Sequence, residues 1–165
     1  MKITFKYKGK KYSFGVKYTE ECPFATNGTC AIYANAALSM NFYSYIKSNY
    51  SLNRRQSKKT ARYIFNLAAT NAGQIFIDYD LYELKKEEQL AVLLHESGHA
   101  YHNYGEEMSD SLAINVVGEK ILVSALEKIY LKRAENDIVL AKAMLKYDIE
   151  NEYPHRKSFK WKRLS

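Results

Sequence analysis

Two histidines and a glutamate, at one particular spacing, are the residues of this chain with the most evident chemical content. Leu93-Leu94-His95-Glu96-Ser97-Gly98-His99-Ala100 contains the pattern HExxH. On a helix, His95 and His99 lie one turn apart on the same face. Two imidazoles so arranged can hold one zinc ion, and Glu96 on the adjoining flank can reach a zinc-bound water without ligating the metal. A catalytic zinc takes three protein ligands and keeps its fourth position for water. It lowers that water's pKa to about 7, so a neighbouring carboxylate can take the proton and later pass it to a leaving amine.

Two histidines leave such a zinc one ligand short. Just downstream lies Glu106-Glu107-Met108-Ser109-Asp110. Glu106 and Asp110 are four apart and share a helix face. Glu106 can supply the third ligand, and Asp110 can accept the free ring N–H of a ligating histidine, fixing its tautomer and raising its basicity. Glu107 competes for the ligand role; the spacing to Asp110 favours Glu106. Read locally, the same residues would also suit a solvated acidic helix start. Between the two segments, Asn103-Tyr104-Gly105 provides residues that tolerate the left-handed conformation ending a helix. A reversal there would turn Glu106 back toward His95 and His99.

These residues need elements to position them. Gly73-Gln74-Ile75-Phe76-Ile77-Asp78-Tyr79-Asp80 reads as a strand, Leu81 to Leu84 as a connector, and Lys85 to Tyr104 as the helix carrying the motif. Leu90, Leu94, Gly98 and Tyr101 form its expected packed stripe. His95, His99 and His102 lie away from that stripe, toward a cleft.

The stretch from Ile75 to about Gly118, roughly a quarter of the chain, resembles the gluzincin group of zinc metallopeptidases. Three pieces carry the resemblance: the run from IFIDYDLYEL to LLHESGHA, the motif form HExGHA, and Glu106-x-x-Ser109-Asp110 as an ExxSD element. Carried over residue by residue, the resemblance implies His95, His99 and Glu106 as zinc ligands, Glu96 as general base and acid, and Asp110 as the support behind a ligand. Only six residues separate His99 from Glu106, where many gluzincins carry a longer insert, so a minimal single-domain version is expected. The resemblance also implies a small sheet above the active helix whose edge strand binds substrate backbone by strand addition.

The rest of the chain bounds this reading. Its 165 residues suit one domain with a real core. The expected arrangement is α+β: a small N-terminal antiparallel sheet packed on a zincin-type active-site helix and on C-terminal helices. That domain is assigned residues 1–153, with 154–165 as a basic tail. Apolar residues make up 47%, which excludes a disordered composition. No run of about 18 apolar residues suggests a membrane span. Met1 to Lys6 lacks the apolar core of a signal peptide, so a cytoplasmic location is expected.

Residues 2–18 read as a β-hairpin turning at Lys8-Gly9-Lys10, one face apolar and the other basic. Cys22 and Cys30 lie in the loop 19–30 and lack the spacing of a metal site, so free thiols are expected. Residues 31–50 read as a helix. Ala61 to Leu67 leans toward a strand paired with Ile75-Phe76-Ile77. Glu106 to about Arg133 reads as one long helix bent near Gly118, and Ala134 to Tyr147 continues the helical pattern. The sequence carries a net charge of +7, mostly from hairpin and tail. That charge permits nucleic-acid contact without demanding it; lysines guarding an exposed strand edge and a solvated tail explain it more simply.

The expected function is zinc-dependent hydrolysis of peptide bonds in a peptide or protein substrate. His102, Tyr147, Tyr153 and His155 are the candidates to stabilise the oxyanion. Two other classes fit the same residues: a regulatory peptidase-like protein with one specific protein partner, and a non-catalytic binder of acidic partners with zinc as a structural clamp.

Overall fold

The structure is a computed structural model that describes residues 1–21, 31–33, 44, 47–71 and 73–165. Strand β1 (Lys2–Tyr7) and strand β2 (Lys10–Tyr18) form the expected hairpin. Lys8 and Gly9 have φ of 46° and 77°. Positive φ at both central residues gives a two-residue turn whose twist matches the flanking strands. Phe5, Phe14 and Val16 are buried, while Lys2, Lys6 and Lys11 are exposed. The alternation in the sequence therefore sorts the two faces.

Strand β3 (Ala31–Tyr33) and strand β4 (Ile75–Ile77) complete a four-stranded sheet of order β1-β2-β4-β3. β1 pairs antiparallel with β2, and β3 antiparallel with β4, but β2 and β4 run parallel, with Val16 opposite Ile75. The α+β class is as expected, and the sheet is mixed. β4 is interior to it: Ile75, Phe76 and Ile77 are all fully buried. A run apolar on both faces is what a covered, partly parallel strand demands.

Two expectations are corrected here. Ala31–Tyr33 is strand rather than the start of a helix. The remainder of that expected helix lies largely outside the described residues, as do Cys22 and Cys30, though Ser44 and residues 47–49 are helical. Ala61 to Leu67 belongs to helix α1 (Arg54–Asn71), not to a strand. The physical reason sits at its start. Asn53 Oδ1 accepts from the Gln56 N–H at 3.0 Å, and Gln56 Oε1 accepts from the Asn53 N–H at 2.9 Å. This reciprocal cap nucleates a helix through a segment rich in Arg, Lys, Gln and Ala. Aromatic and β-branched residues in the seven-residue window cannot override it.

A short 3-10 helix (Tyr79–Glu83) leads into α2 (Lys86–His102), the helix that bears the motif. Glu88 anchors its first turn: its carboxylate accepts from the Lys85 N–H at 2.8 Å, Ser124 Oγ at 2.7 Å and Lys128 Nζ at 2.7 Å. Leu90, Leu94 and Gly98 are buried as expected, whereas Tyr101 is half exposed. Ala91, Val92 and Leu93 are buried as well. The helix thus runs through the middle of the molecule, between the sheet and the helices that follow.

Those helices are α3 (Glu106–Val117), α4 (Glu119–Arg133) and α5 (Ile138–Asn151). The long helix expected over 106–133 is broken rather than bent. Gly118 has φ 93° and ψ 151°, a conformation that only glycine adopts without strain. Ala113, Val117, Leu122 and Ala125 close the core against α2 and the sheet.

The chain after residue 153 is not a loose tail. Pro154–Ser158 forms a 3-10 turn, Arg156 is buried, and Leu164 packs with Tyr130, Ala134, Ala141 and Leu145. The buried carboxylate of Glu127 accepts from the backbone N–H groups of Lys162, Arg163 and Leu164 at 2.6, 2.6 and 3.2 Å. Backbone donors on one anionic oxygen hold the segment where side-chain pattern alone gave no sign of it. No helix among the described residues is long and apolar enough to cross a membrane.

Candidate metal centre

Helix α2 ends where the sequence required it to. Asn103 sits in the left-handed region at φ 53°, and the Tyr104 N–H returns to the Gly98 carbonyl at 3.0 Å. Gly105 then opens α3, which runs back along α2. The two helices meet at Gly98: a Cβ built there would stand 2.7 Å from Ser109 Oγ and 3.1 Å from Ser109 Cα. No side chain fits that gap without moving a helix, so the glycine inside HESGH is what lets α3 approach.

This approach brings the expected ligands together. His95 Nε2 and His99 Nε2 are 3.0 Å apart. Glu106 Oε2 lies 3.3 Å from His95 Nε2, and Glu106 Oε1 lies 3.3 Å from His99 Nε2. Among the described residues these three form a group that could hold a metal ion. Glu107 is exposed and takes no part in it.

The tautomers follow from what each ring faces. His99 Nδ1 faces the Tyr104 carbonyl oxygen at 2.7 Å, and a carbonyl only accepts, so the ring proton is on Nδ1. His95 Nδ1 lies 2.8 Å from Asp110 Oδ1, an ion-pair contact rather than an aligned hydrogen bond, and that carboxylate favours a proton on Nδ1. Both Nε2 atoms then present lone pairs toward each other and toward the Glu106 carboxylate. Three electron-rich atoms this close repel unless a proton or a metal ion lies among them.

The charges around the ring follow from that crowding. Burial opposes protonation of His95, but Asp110 and Glu106 overcome it and raise its pKa to about 9. Burial also works against ionisation of Glu106 and Asp110, yet the two histidines hold Glu106, and His95 with Arg156 hold Asp110, well below the usual carboxylate range. Glu96 behaves differently. Burial raises its pKa from 4.5 to about 7 against the opposing pull of His95 and His99. It is the one carboxyl of the group poised near neutrality.

Asp110 is buried and satisfied at both oxygens. It accepts from Arg156 Nε at 2.6 Å and Arg156 Nη2 at 3.1 Å, and His155 Nε2 lies 2.8 Å from Oδ2. Arg156 Nη2 also lies 3.7 Å from Glu106 Oε2. The Tyr153 ring packs under the Arg156 guanidinium at 4.2 Å. Of the four oxyanion candidates, Tyr153 and His155 therefore flank the site. His102 is exposed and stacks on Tyr104 at 5.1 Å, and Tyr147 is 61% exposed. Arg156 escaped the sequence reading. It stands 46 residues beyond Asp110 in a run of basic residues, and nothing in its neighbours marks it as buried.

No known protein family's model matches this chain. No curated protein and no solved structure matches it either.

Proposed function

We propose that the chain is a zinc-dependent peptidase in which His95, His99 and Glu106 hold the metal and Glu96 carries the proton. One observation supports this above the others: three lone-pair donors converge beside a buried carboxyl whose pKa is raised to about 7. The donor set of two imidazoles and one carboxylate is that of a hydrolytic zinc. Its spacing fits as well. Tetrahedral ligands at about 2.0–2.2 Å from a metal stand roughly 3.3–3.6 Å from one another, against 3.0, 3.3 and 3.3 Å here.

When bound, zinc acidifies its water and polarises a carbonyl. Every other part of the reaction falls to the chain. Glu96 takes a proton from water and returns it to the leaving amine. Asp110 and the Tyr104 carbonyl keep the two imidazoles in the Nδ1–H tautomer, so both Nε2 atoms remain ligands. Tyr153, whose ring lies on the Arg156 guanidinium at the edge of the site, is the favoured candidate donor for the oxyanion. Burial and the Glu106 charge push its phenol pKa up, so it keeps its proton. His155 is engaged with Asp110.

The test is cleavage of casein and of a mixed peptide library by the wild type, by the wild type with chelator, and by Glu96→Gln. The proposal expects cleavage only in the first, with Glu96→Gln still folded and still holding zinc. If casein and the library are spared and one native protein is cut, the activity stands with a narrow substrate. Turnover by Glu96→Gln at the wild-type rate would contradict it.

A further inference from the structure

We infer that Arg156 is a positioning residue of the metal centre, orienting two of its three ligands from outside the coordination sphere. This rests on the zinc reading above and adds to it a role for the end of the chain.

Asp110 offers about four lone-pair directions on two oxygens. Three are engaged by hydrogen bonds, Oδ1 by Arg156 Nη2 at 3.1 Å and Oδ2 by Arg156 Nε at 2.6 Å and His155 Nε2 at 2.8 Å, and His95 Nδ1 stands 2.8 Å from Oδ1 as an ion-pair contact. The guanidinium fork fixes the plane of the carboxylate, and the carboxylate stands against the His95 ring as its charged neighbour. The same Nη2 lies 3.7 Å from Glu106 Oε2. One planar cation therefore bears on His95 through Asp110 and on Glu106 directly. Lysine could supply the charge but not the fork.

Charge balance supports the same role. Glu96, Glu106 and Asp110 bring three carboxyl groups into one largely buried region. Arg156, itself buried, sets a fixed positive charge against Asp110 and beside Glu106. Its own position is fixed by contacts that have no metal in them. Trp161 Nε1 donates to the Arg156 carbonyl at 3.1 Å, the Tyr153 ring covers the guanidinium, and Glu127 holds the backbone of residues 162–164. The C-terminal segment thus builds one wall of the site.

The experiment titrates Co²⁺ and Zn²⁺ into metal-free wild type, Arg156→Lys and Arg156→Gln. The readouts are the cobalt d–d absorption band, zinc affinity by chelator competition, and fold by far-UV circular dichroism. Arg156→Lys, which keeps a cation against Asp110, is expected to fold, to bind zinc about 10-fold more weakly and to give an altered cobalt band; Arg156→Gln is expected to lose about 10- to 100-fold. Wild-type affinity and an unchanged band in a folded Arg156→Lys would overturn this inference alone. So would a variant that loses metal only because it has lost its fold, since that is a structural role. A wild type that takes up neither metal would overturn the zinc reading beneath it.

Discussion

Replacing Glu96 by glutamine should stabilise the metal-free protein, and only above a defined pH. Glu96 has a folded-state pKa of about 7 against an ordinary 4.5, with burial as the main cause. The native state therefore binds this proton more tightly than the unfolded chain does. Between those two values the folded protein carries more protons, so stability falls as pH rises through the window. The penalty is absent below about pH 4.5 and complete above about pH 7. At roughly 1.4 kcal/mol per pH unit it amounts to about 3 kcal/mol. Glutamine keeps the shape and removes the charge. Urea unfolding in the presence of chelator should give equal stabilities for the two proteins at pH 4.5 and a variant more stable by about 2–3 kcal/mol at pH 8. His95 acts in the opposite sense. Its pKa is raised from 6.5 to about 9, so its contribution is full below 6.5 and lost as pH rises through 9. The Glu96 charge is one cause of that rise, so the substitution also lowers the His95 pKa somewhat. A variant no more stable than wild type at pH 8, or a gain that persists undiminished at pH 4.5, would refute the account of Glu96 as a charge held in an unfavourable site for catalysis.

Other outcomes follow from single contacts. Gly98→Ala, whose Cβ would meet Ser109 at 2.7–3.1 Å, should cost about 1–3 kcal/mol and weaken metal binding with it; unaltered stability by denaturant titration would mean that α2 and α3 do not meet there. Glu127→Ala removes the acceptor of three backbone N–H groups and should cost at least about 2 kcal/mol while making residues 159–165 sensitive to limited proteolysis. Asp137 caps α5 by accepting from the N–H groups of Val139 and Leu140 at 2.9 and 3.0 Å, so Asp137→Ala should lower stability by about 0.5–2 kcal/mol without touching metal affinity.

The candidate site was legible wherever it depended on local spacing. HExxH, the Asn103-Tyr104-Gly105 reversal and the four-residue step from Glu106 to Asp110 all act within one or two helical turns. Helical geometry turns such spacings directly into shared faces. The basic and apolar alternation of residues 2–18 did the same for the hairpin. What escaped is held by contacts between distant segments. The parallel pairing of Val16 with Ile75 leaves no mark in either strand: residues 75–77 are buried on both faces and have no alternation to read, and the alternation of residues 10–18 sorts faces without naming the neighbouring strand. Arg156 looks like its solvated neighbours until Asp110 is set against it. Residues 61–67 were misread for a different reason: a seven-residue window held strand formers, while the deciding signal, Asn53 and Gln56 in reciprocal contact, lay upstream of it.

The central claim is that His95, His99 and Glu106 grip one cation. Metal content measured by inductively coupled plasma mass spectrometry, after zinc reconstitution and desalting, tests it most directly. The account predicts a single zinc ion per chain in the wild type and in Glu107→Ala, and none in His95→Ala or Glu106→Ala. A wild type that emerges free of zinc, or a His95→Ala protein that retains it, would contradict the account.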